Sequence, residues 1–388
     1  MTKRTRTIIL LACVACFLII APVLVLYSMG YRFDFEKMKI TETGGIYVVT
    51  YPVADKIIID SKISEKPGMF SNSIFVQSLL PNDSHTVLAE KSGYYDYSKT
   101  IPVQEKEVTK LENILLFKKN IKFEVIIKQS ATPTHSVPTS KTQSPFDIQE
   151  KYIIKNGNLY YSDTPENSAL TAVQKSTPLL KKVVSFALQN NNIIWLGADG
   201  FLYKSDSSKL LTAATKITLT AIKISKTGSY TIIADNNNIF VIANGALLIL
   251  NTKTTELDTF YASAKDAAIS PDGNNIVYFT DKELYISSIP DSLKNKTLLY
   301  KSAGKITACL WLNNYYVIIA SANTITISET DYRDNINIVT LPQTAEFPGD
   351  PAMMAIEIKN PQIFFNRQEG KLYILTGTTL LASEKLTP

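Results

Sequence analysis

The first apolar pattern in the chain is one uninterrupted segment near its start. Residues 8–29 carry no charged side chain, and Lys3, Arg4 and Arg6 precede them. As a helix that rises 1.5 Å per residue, a segment of this length extends about 33 Å, which spans the hydrocarbon core of a bilayer. The pattern therefore predicts a cytoplasmic tail and transmembrane anchor over residues 1–32.

A cleaved export signal and a lipoprotein signal are the alternatives for this segment. A cleavable signal has an apolar core of about 7–15 residues and small residues before the cut, whereas residues 26–29 read LYSM. LLAC at residues 10–13 resembles a lipobox, but apolar sequence continues well beyond Cys13. A permanent anchor fits better, and the basic cluster ahead of it places the N-terminus in the cytoplasm and the remaining chain outside. Tyr27, Tyr31 and Phe33 then fit the aromatic belt at the outer interface.

Short strands replace the helical pattern from residue 40. Runs rich in β-branched and aromatic residues alternate with Gly, Pro, Asn and Asp, as in GGIYVVTYP, KIIID and SIFVQSLL at residues 44–52, 56–60 and 73–80. This pattern predicts an antiparallel meander or small β-sandwich over residues 40–128.

The same region resembles the PEGA domain, a small exported β module. The matching stretches are GGIYV, PVADKIIID, KPG, LPNDSHTV and KSGY at residues 44–48, 52–60, 66–68, 80–87 and 91–94. Ala54 stands where the family signature has glycine, and Asn82-Asp83 replaces its Pro-Gly turn. An anchor followed by such a module is similar to a group of bacterial membrane-anchored PEGA proteins. The resemblance implies an envelope module that binds or spaces and has no catalytic residues.

Residues 129–146, QSATPTHSVPTSKTQSPF, are rich in Ser, Thr and Pro and nearly free of apolar side chains. This composition predicts a semi-extended linker and a domain boundary. Whether residues 123–128 before it belong to the first module or supply a strand to the domain that follows stays open at this point.

From residue 147 to the end the chain repeats loosely. Similar dipeptides recur at intervals of 37 to 48 residues, at Leu159-Tyr160, Leu202-Tyr203, Ile239-Phe240, Leu284-Tyr285, Thr324-Ile325 and Leu372-Tyr373. Units of this length with three or four short strands are typical of β-propeller blades, and they predict about six blades over residues 147–388. SPDG at residues 270–273 resembles the turn of WD40-like and TolB-type propeller repeats, and SKTG at residues 225–228 is a degraded copy. The Trp-Asp and Gly-His signatures of WD40 repeats are absent.

Composition excludes several function classes. The net charge is only +5 and the lysines are scattered, so we expect no nucleic-acid partner. The two histidines, His85 and His135, lack companions at ligand spacing, and Cys309 lies far from Cys13 and Cys16. Asn- and Asp-rich stretches at residues 235–238 and 272–275 fit hairpin turns better than calcium loops. We therefore assign no catalytic, cofactor or metal residues, and the ligand-binding residues are unknown.

The leading hypothesis is a single-pass cell-membrane protein, not an enzyme, whose extracytoplasmic propeller presents a face to an envelope protein or glycan. The alternatives are a tethered hydrolase with a carboxylate pair in the propeller channel and a purely structural envelope spacer. Trp195 and Trp311 are aromatic candidates for a binding face, although we expect both in the blade core.

Overall fold

The computed structural model describes residues 3–35, 37–61, 63–68, 71–128, 152–161, 177–206, 214–235, 237–289, 296–347 and 350–387. The predicted linker and His135 lie outside these ranges. The chain is mainly β, with one apolar helix near the N-terminus. Its contacts divide it into unit 1 (Met1–Asn120, Arg333–Asn337 and Pro388) and unit 2 (Ile121–Tyr332 and Ile338–Thr387).

Unit 1 begins with the helix α1, Lys3–Ser28. Within Arg4–Ser28, an 18-residue window has a mean hydropathy of 3.2, so the helix is long and apolar enough to cross a membrane. Leu, Ile, Val and Phe side chains are exposed along its length. In water such a surface is unfavourable by about 25 cal/mol per Å² of apolar area.

Nine strands follow in the described part of unit 1. They are β1 (Tyr31–Asp34), β2 (Lys39–Glu42), β3 (Gly44–Tyr51), β4 (Lys56–Ile59), β5 (Ile63–Glu65), β6 (Ser73–Leu79), β7 (Asn82–Glu90), β8 (Tyr97–Val103) and β9 (Val108–Leu115). They form a β1-β2 hairpin, a three-stranded sheet in the order β6-β3-β9 and a four-stranded sheet in the order β5-β4-β7-β8. Apolar side chains from the two larger sheets share one core, including Ile46 of β3, Ile57 of β4 and Val87 of β7. Unit 1 is therefore a small sandwich.

Unit 2 contains the remaining strands. They are β10 (Phe123–Lys128), β11 (Tyr152–Lys155), β12 (Asn158–Tyr161), β13 (Leu180–Lys181), β14 (Val183–Gln189), β15 (Asn192–Gly197), β16 (Leu202–Asp206), β17 (Ala214–Lys216), β18 (Tyr230–Ala234), β19 (Ile239–Ala243), β20 (Ala246–Asn251), β21 (Glu256–Tyr261), β22 (Asp266–Ile269), β23 (Asn275–Phe279), β24 (Glu283–Ser288), β25 (Thr297–Lys301), β26 (Ile306–Trp311), β27 (Tyr316–Ser321), β28 (Ile325–Glu329), β29 (Ile338–Thr340), β30 (Thr344–Phe347), β31 (Asp350–Ala355), β32 (Gln362–Asn366), β33 (Lys371–Thr376) and β34 (Thr379–Ser383).

These strands form six consecutive sheets, antiparallel except for the β10-β30 pair of the last one. The sheets are β11-β12-β13, β14-β15-β16-β17, β18-β19-β20-β21, β22-β23-β24-β25, β26-β27-β28-β29 and β31-β30-β10-β34-β33-β32. The first strands contact one another in series, in the order β11, β14, β18, β22, β26 and β32. Serial four-stranded meanders in contact through their first strands are propeller-like.

The strand β10 belongs to unit 2 and not to the first module. The first module therefore ends before β10, and its predicted boundary at residue 128 is placed too far along the chain. It pairs antiparallel with β34, where Phe123 lies opposite Ser383 and Lys128 opposite Thr379. Its other edge meets β30 in parallel. Phe123 and Val125 are buried in this sheet. The long sequence separation between β10 and β34 hides this pairing from local patterns.

The dipeptides that the sequence treats as equivalent lie on different strands of their sheets. Leu202-Tyr203, Leu284-Tyr285 and Thr324-Ile325 lie on or directly before the third strands β16, β24 and β28, whereas Leu159-Tyr160, Ile239-Phe240 and Leu372-Tyr373 lie on the second strands β12, β19 and β33. Their predicted equivalence is wrong, because similar dipeptides occur on both the second and the third strands of these sheets.

Candidate functional site

One cavity in unit 2 lies where three neighbouring first strands end. It has a volume of about 450 Å³ and is lined by Ala268, Ile269, Leu310, Trp311, Phe364, Phe365, Asn366, Arg367 and Gln368. The first two residues end β22, the next two end β26, and the last five end β32 and enter its following turn. Because these strands run in the same direction, their carboxyl ends meet on one face of the unit. The volume lies within the range of small-ligand pockets, about 300–1,000 Å³.

Trp311 joins two of the sheets that form the cavity. Its indole Nε1 donates a hydrogen bond to the backbone carbonyl of Ala268 at 2.8 Å. Only 3% of the residue is exposed. The indole is therefore fixed between β22 and β26, and it contributes both to the core and to the cavity wall. A wall that is already ordered loses little conformational entropy when a ligand binds.

A polar rim borders the apolar wall. The turn after β32 is closed by a hydrogen bond from Gly370 N to Asn366 O at 2.8 Å, and Asn366 Oδ1 accepts from Gln368 N at 3.0 Å. Gly370 has φ +68°, a left-handed conformation that glycine adopts without strain. This turn presents the exposed side chain of Arg367, the single charged residue among those that line the cavity.

Asp266 lies two residues before the cavity residue Ala268 on β22, and Cys309 directly precedes the cavity residue Leu310 on β26. Although Asp266 retains contact with solvent, the protein packed around its carboxyl group raises its pKa, and the N–H of Ala267 opposes that rise. Burial, and secondarily the charge of Asp266, raises the pKa of the Cys309 thiol far above its usual range. The thiol is therefore neutral and is a poor nucleophile.

The other residues that the sequence analysis singled out lie elsewhere. Trp195 is in the core, where its ring stacks on Tyr203 at 4.4 Å between ring centroids. His85 is in unit 1, with its Nδ1 2.7 Å from Asp60 Oδ2 and its Nε2 2.7 Å from the carbonyl of Leu80. Both ring nitrogens thus face acceptors within the sandwich. Among the described residues, no group of three His, Cys, Asp or Glu side chains is placed to hold a metal ion.

The Asn- and Asp-rich stretch at residues 235–238 is a turn closed by its own side chain. Asp235 Oδ1 accepts hydrogen bonds from Asn237 N at 2.9 Å and Asn238 N at 2.6 Å. The carboxylate therefore serves the backbone of its own turn, as Asx turns do.

Sequence reasoning missed Phe364, Phe365 and Arg367. The sequence FFNR at residues 364–367 matches no ligand-binding motif. It lines a cavity only together with the ends of β22 and β26, which lie far away in sequence. The available signal was the position of FFN at the end of a first strand, directly before a charged turn.

No family model matches the chain, and no curated protein matches it. Among solved structures, it is similar to the extracellular domain of a hybrid two-component system from B. thetaiotaomicron, with 12% identity and a TM-score of 0.41 over 60% of this chain and 30% of that chain. It is also similar to hydrazine synthase from Kuenenia stuttgartiensis, with 15% identity and a TM-score of 0.37 over 56% of this chain and 67% of that chain. The Dos1 propeller has 15% identity and a TM-score of 0.35 over 50% of each chain.

Proposed function

We propose that the protein is a membrane-anchored, extracytoplasmic binding protein of the cell envelope. In this proposal α1 spans the membrane with its N-terminus in the cytoplasm, the sandwich of unit 1 is a PEGA-like module, and unit 2 binds a peptide segment of a partner protein in the Trp311 cavity. The observation that carries the binding role is a preformed aromatic cavity with one cation at its rim.

Unit 2 is proposed to be a six-bladed propeller. Each of its six sheets is one blade, with the first strand innermost. In the last blade β32, β33 and β34 come from the end of the chain and β10 supplies the fourth strand. Such a shared blade links the two ends of the domain and stabilises the ring.

The cavity walls favour a peptide over a glycan. Sugars stack on accessible aromatic faces, whereas Trp311 and Phe365 are buried in the wall. A mostly apolar cavity instead suits one apolar or aromatic side chain as an anchor. Arg367 at the rim then pairs with a carboxylate of the same peptide, either acidic or C-terminal, because a guanidinium donates to both oxygens of a carboxylate.

The carboxylate-pair hydrolase has less support. Glycoside hydrolysis requires two carboxyl groups about 5–10 Å apart. Among the described first strands of unit 2, which border the proposed channel, Asp266 is the sole acidic residue. A spacer without any binding site does not account for the cavity. We therefore propose a non-enzymatic role.

The test is capture from solubilised envelope with the full-length chain, comparing the natural protein with Arg367→Glu and Lys253→Glu. Lys253 is an exposed lysine in the turn between β20 and β21 and does not line the cavity, so its variant controls for a general change of charge. Synthetic peptides from the captured protein then give dissociation constants. We expect binding to weaken at least about tenfold in the Arg367 variant and to stay within about twofold in the control.

Equal affinity in the natural protein and the Arg367 variant would show that the partner binds elsewhere. If the natural chain captures nothing and binds no peptide from an acidic peptide library, the binding role itself is wrong.

A further inference from the structure

The β1-β2 hairpin, which follows α1 directly, has its polar and apolar faces reversed. Phe33 pairs with Ile40 across the two strands, and Asp34 pairs with Lys39. Side chains alternate between the faces of a hairpin, so Phe33 and Ile40 share one face and Asp34 lies on the other. Asp34 is buried, whereas Phe33 and Ile40 are exposed. A hairpin in water normally shows the opposite pattern.

The buried polar face is satisfied by hydrogen bonds inside unit 1. Thr41, also buried, donates to Glu105 Oε1 at 2.5 Å. Asp34 Oδ1 accepts from Lys37 N at 3.0 Å. These hydrogen bonds satisfy the buried polar side chains. They therefore hold the hairpin with its polar face inward and its apolar face exposed.

The apolar face continues past the strand pair into the turn. Phe35 is 79% exposed and Met38 is 73% exposed. The Phe33 and Phe35 rings contact each other edge to face, with their centroids 4.9 Å apart. Together with Ile40 these side chains form one contiguous apolar surface, which we call the hairpin patch. Contiguous apolar patches of this kind mark contacts with a protein or a membrane.

The hairpin is joined firmly to the end of α1. Arg32 Nη1 donates to the carbonyl of Tyr27 at 2.8 Å, and its guanidinium lies 3.5 Å above the centre of the Tyr27 ring. Arg32 Nη2 donates to Ser78 Oγ of β6 at 3.1 Å. The carbonyl of Gly30 accepts from Thr43 N at 3.0 Å. The exit of the helix, the hairpin and the sandwich therefore form a fixed joint within unit 1.

We propose that the hairpin patch is a second membrane contact, lying in the outer interface of the same bilayer that α1 spans. The occupant is the bilayer because the patch begins five residues after the apolar helix ends at Ser28, where a spanning helix reaches the membrane surface. This inference rests on the proposed anchoring by α1. Its consequence is that the sandwich is held at a set orientation on the membrane and does not swivel about a single helix.

The experiment uses the full chain in nanodiscs of phosphatidylcholine and phosphatidylglycerol, with nitroxide labels on single cysteines. Phe35→Cys and Ile40→Cys label the patch, and Lys39→Cys labels an exposed position on the other face next to Ile40; all three carry Cys13→Ala and Cys16→Ala. Cys309 is buried and stays unlabelled. A fourth protein, with Cys13→Ala alone, carries its label on Cys16 inside α1.

Collision rates with oxygen, which partitions into lipid, and with a water-soluble nickel chelate then report depth. For groups that lie about 5–10 Å into the interface, we expect the oxygen-to-nickel ratio at residues 35 and 40 to exceed that at residue 39 at least about threefold. Labels at residues 35 and 40 that are as open to nickel as the label at residue 39 would overturn the inference and leave the anchor intact, provided that the Cys16 label is in lipid. A nickel-accessible Cys16 label would contradict the anchor itself. Spin coupling between labels at residue 35 of two chains would show that a second copy covers the patch, which also overturns the inference.

Discussion

At the residue scale, one turn shows how a short motif acts through its side chains. In SPDG at residues 270–273, Gly273 N donates to Ser270 O at 2.9 Å, and Gly273 has φ +74°. Asp272 accepts hydrogen bonds from Ser270 Oγ at 2.5 Å and from Asn274 N at 3.2 Å. The corresponding turn at residues 225–228 has the same backbone bond, from Gly228 N to Ser225 O at 3.1 Å. It has Thr227 in place of the carboxylate.

This difference predicts a pH-dependent stability for one turn and not for the other. Partial burial of Asp272 acts to raise its pKa, but hydrogen bonds from Ser270 and Asn274 outweigh this effect and hold the pKa below its usual 3.8. A carboxyl group whose pKa is lowered in the folded state stabilises the protein at pH values above its unfolded pKa. That stabilisation is lost as the pH falls below 3.8 and through the lower folded pKa. We expect Asp272→Ala to cost about 0.5–1 kcal/mol at pH 7, because net hydrogen-bond contributions are of that size. The loss should shrink as the natural protein is acidified.

Chemical denaturation of the full-length chain at several pH values between 7 and 3 measures this effect. Thr227→Ala is the matched control, since its neutral hydroxyl titrates nowhere in that range. A cost of Asp272→Ala that is the same at pH 7 and pH 3 would contradict the assigned role of the carboxylate.

The sequence predicted these turns because their geometry depends on local residue types. It did not predict the cavity, because Arg367 and Trp311 come from different sheets. Only the packing of three sheets brings them to one cavity. The sequence offered Trp311 as a candidate for a binding face and favoured the core, and the indole contributes to both the core and the cavity wall.

At the element scale, a repeated pattern occurs on the third strand in four of the six sheets. Four third strands place a buried Leu or Ile three residues before a buried serine, as Leu202 and Ser205, Leu284 and Ser287, Ile325 and Ser328, and Leu380 and Ser383. Three of the serines reach the second strand of their sheet, since Ser205 Oγ accepts from Trp195 Nε1, Ser287 Oγ bonds with Tyr278 OH and Ser383 Oγ accepts from Leu372 N. These bonds connect neighbouring strands inside the core.

The buried leucine that begins this pattern is predicted to contribute much of the stability of its sheet. Leu284 is fully buried on β24, whereas Leu298 on β25 of the same sheet is 45% exposed. We expect Leu284→Ala to destabilise unit 2 by about 2–5 kcal/mol, the range for buried leucines. Leu298→Ala should cost less than about 1 kcal/mol, because surface changes are small. Thermal and urea unfolding of both full-length variants provide the measurement, and similar costs for the two would contradict the assigned strand positions.

The length of the repeat unit was readable from the sequence, and its internal register was not. A Leu-Tyr dipeptide occurs on third strands at Leu202-Tyr203 and Leu284-Tyr285 and on second strands at Leu159-Tyr160 and Leu372-Tyr373, so the dipeptide alone does not identify its strand. Residues 222–242 and 267–287 show the same limit. Matching their SKTG and SPDG turns sets residues 230–234 beside the second strand β23, whereas in the structure they are the first strand β18.

At the scale of the whole molecule, the chain's organisation depends on one long-range pairing. The sequence predicted an apolar helix, a small sandwich and a repeated β array in the order that the structure has them. It did not settle the place of residues 123–128, because strand propensity does not name a partner that lies over 250 residues away. In the structure β10 lies between β34 and β30 in the last sheet.

This position predicts where unit 2 must begin in order to be stable. A fragment of residues 147–388 lacks β10, so β34 and β30 lose the strand between them and the burial of Phe123 and Val125 is lost. Full burial of each such side chain contributes about 1.5–3 kcal/mol. For a domain of this size, we expect the fragment to melt roughly 10 °C below a fragment of residues 121–388. Circular dichroism melting provides the comparison, and a fragment of residues 129–388 separates loss of β10 from loss of the linker. If β10 is the cause, the 129–388 and 147–388 fragments melt alike; equal melting of all three would show that β10 does not hold the last sheet together.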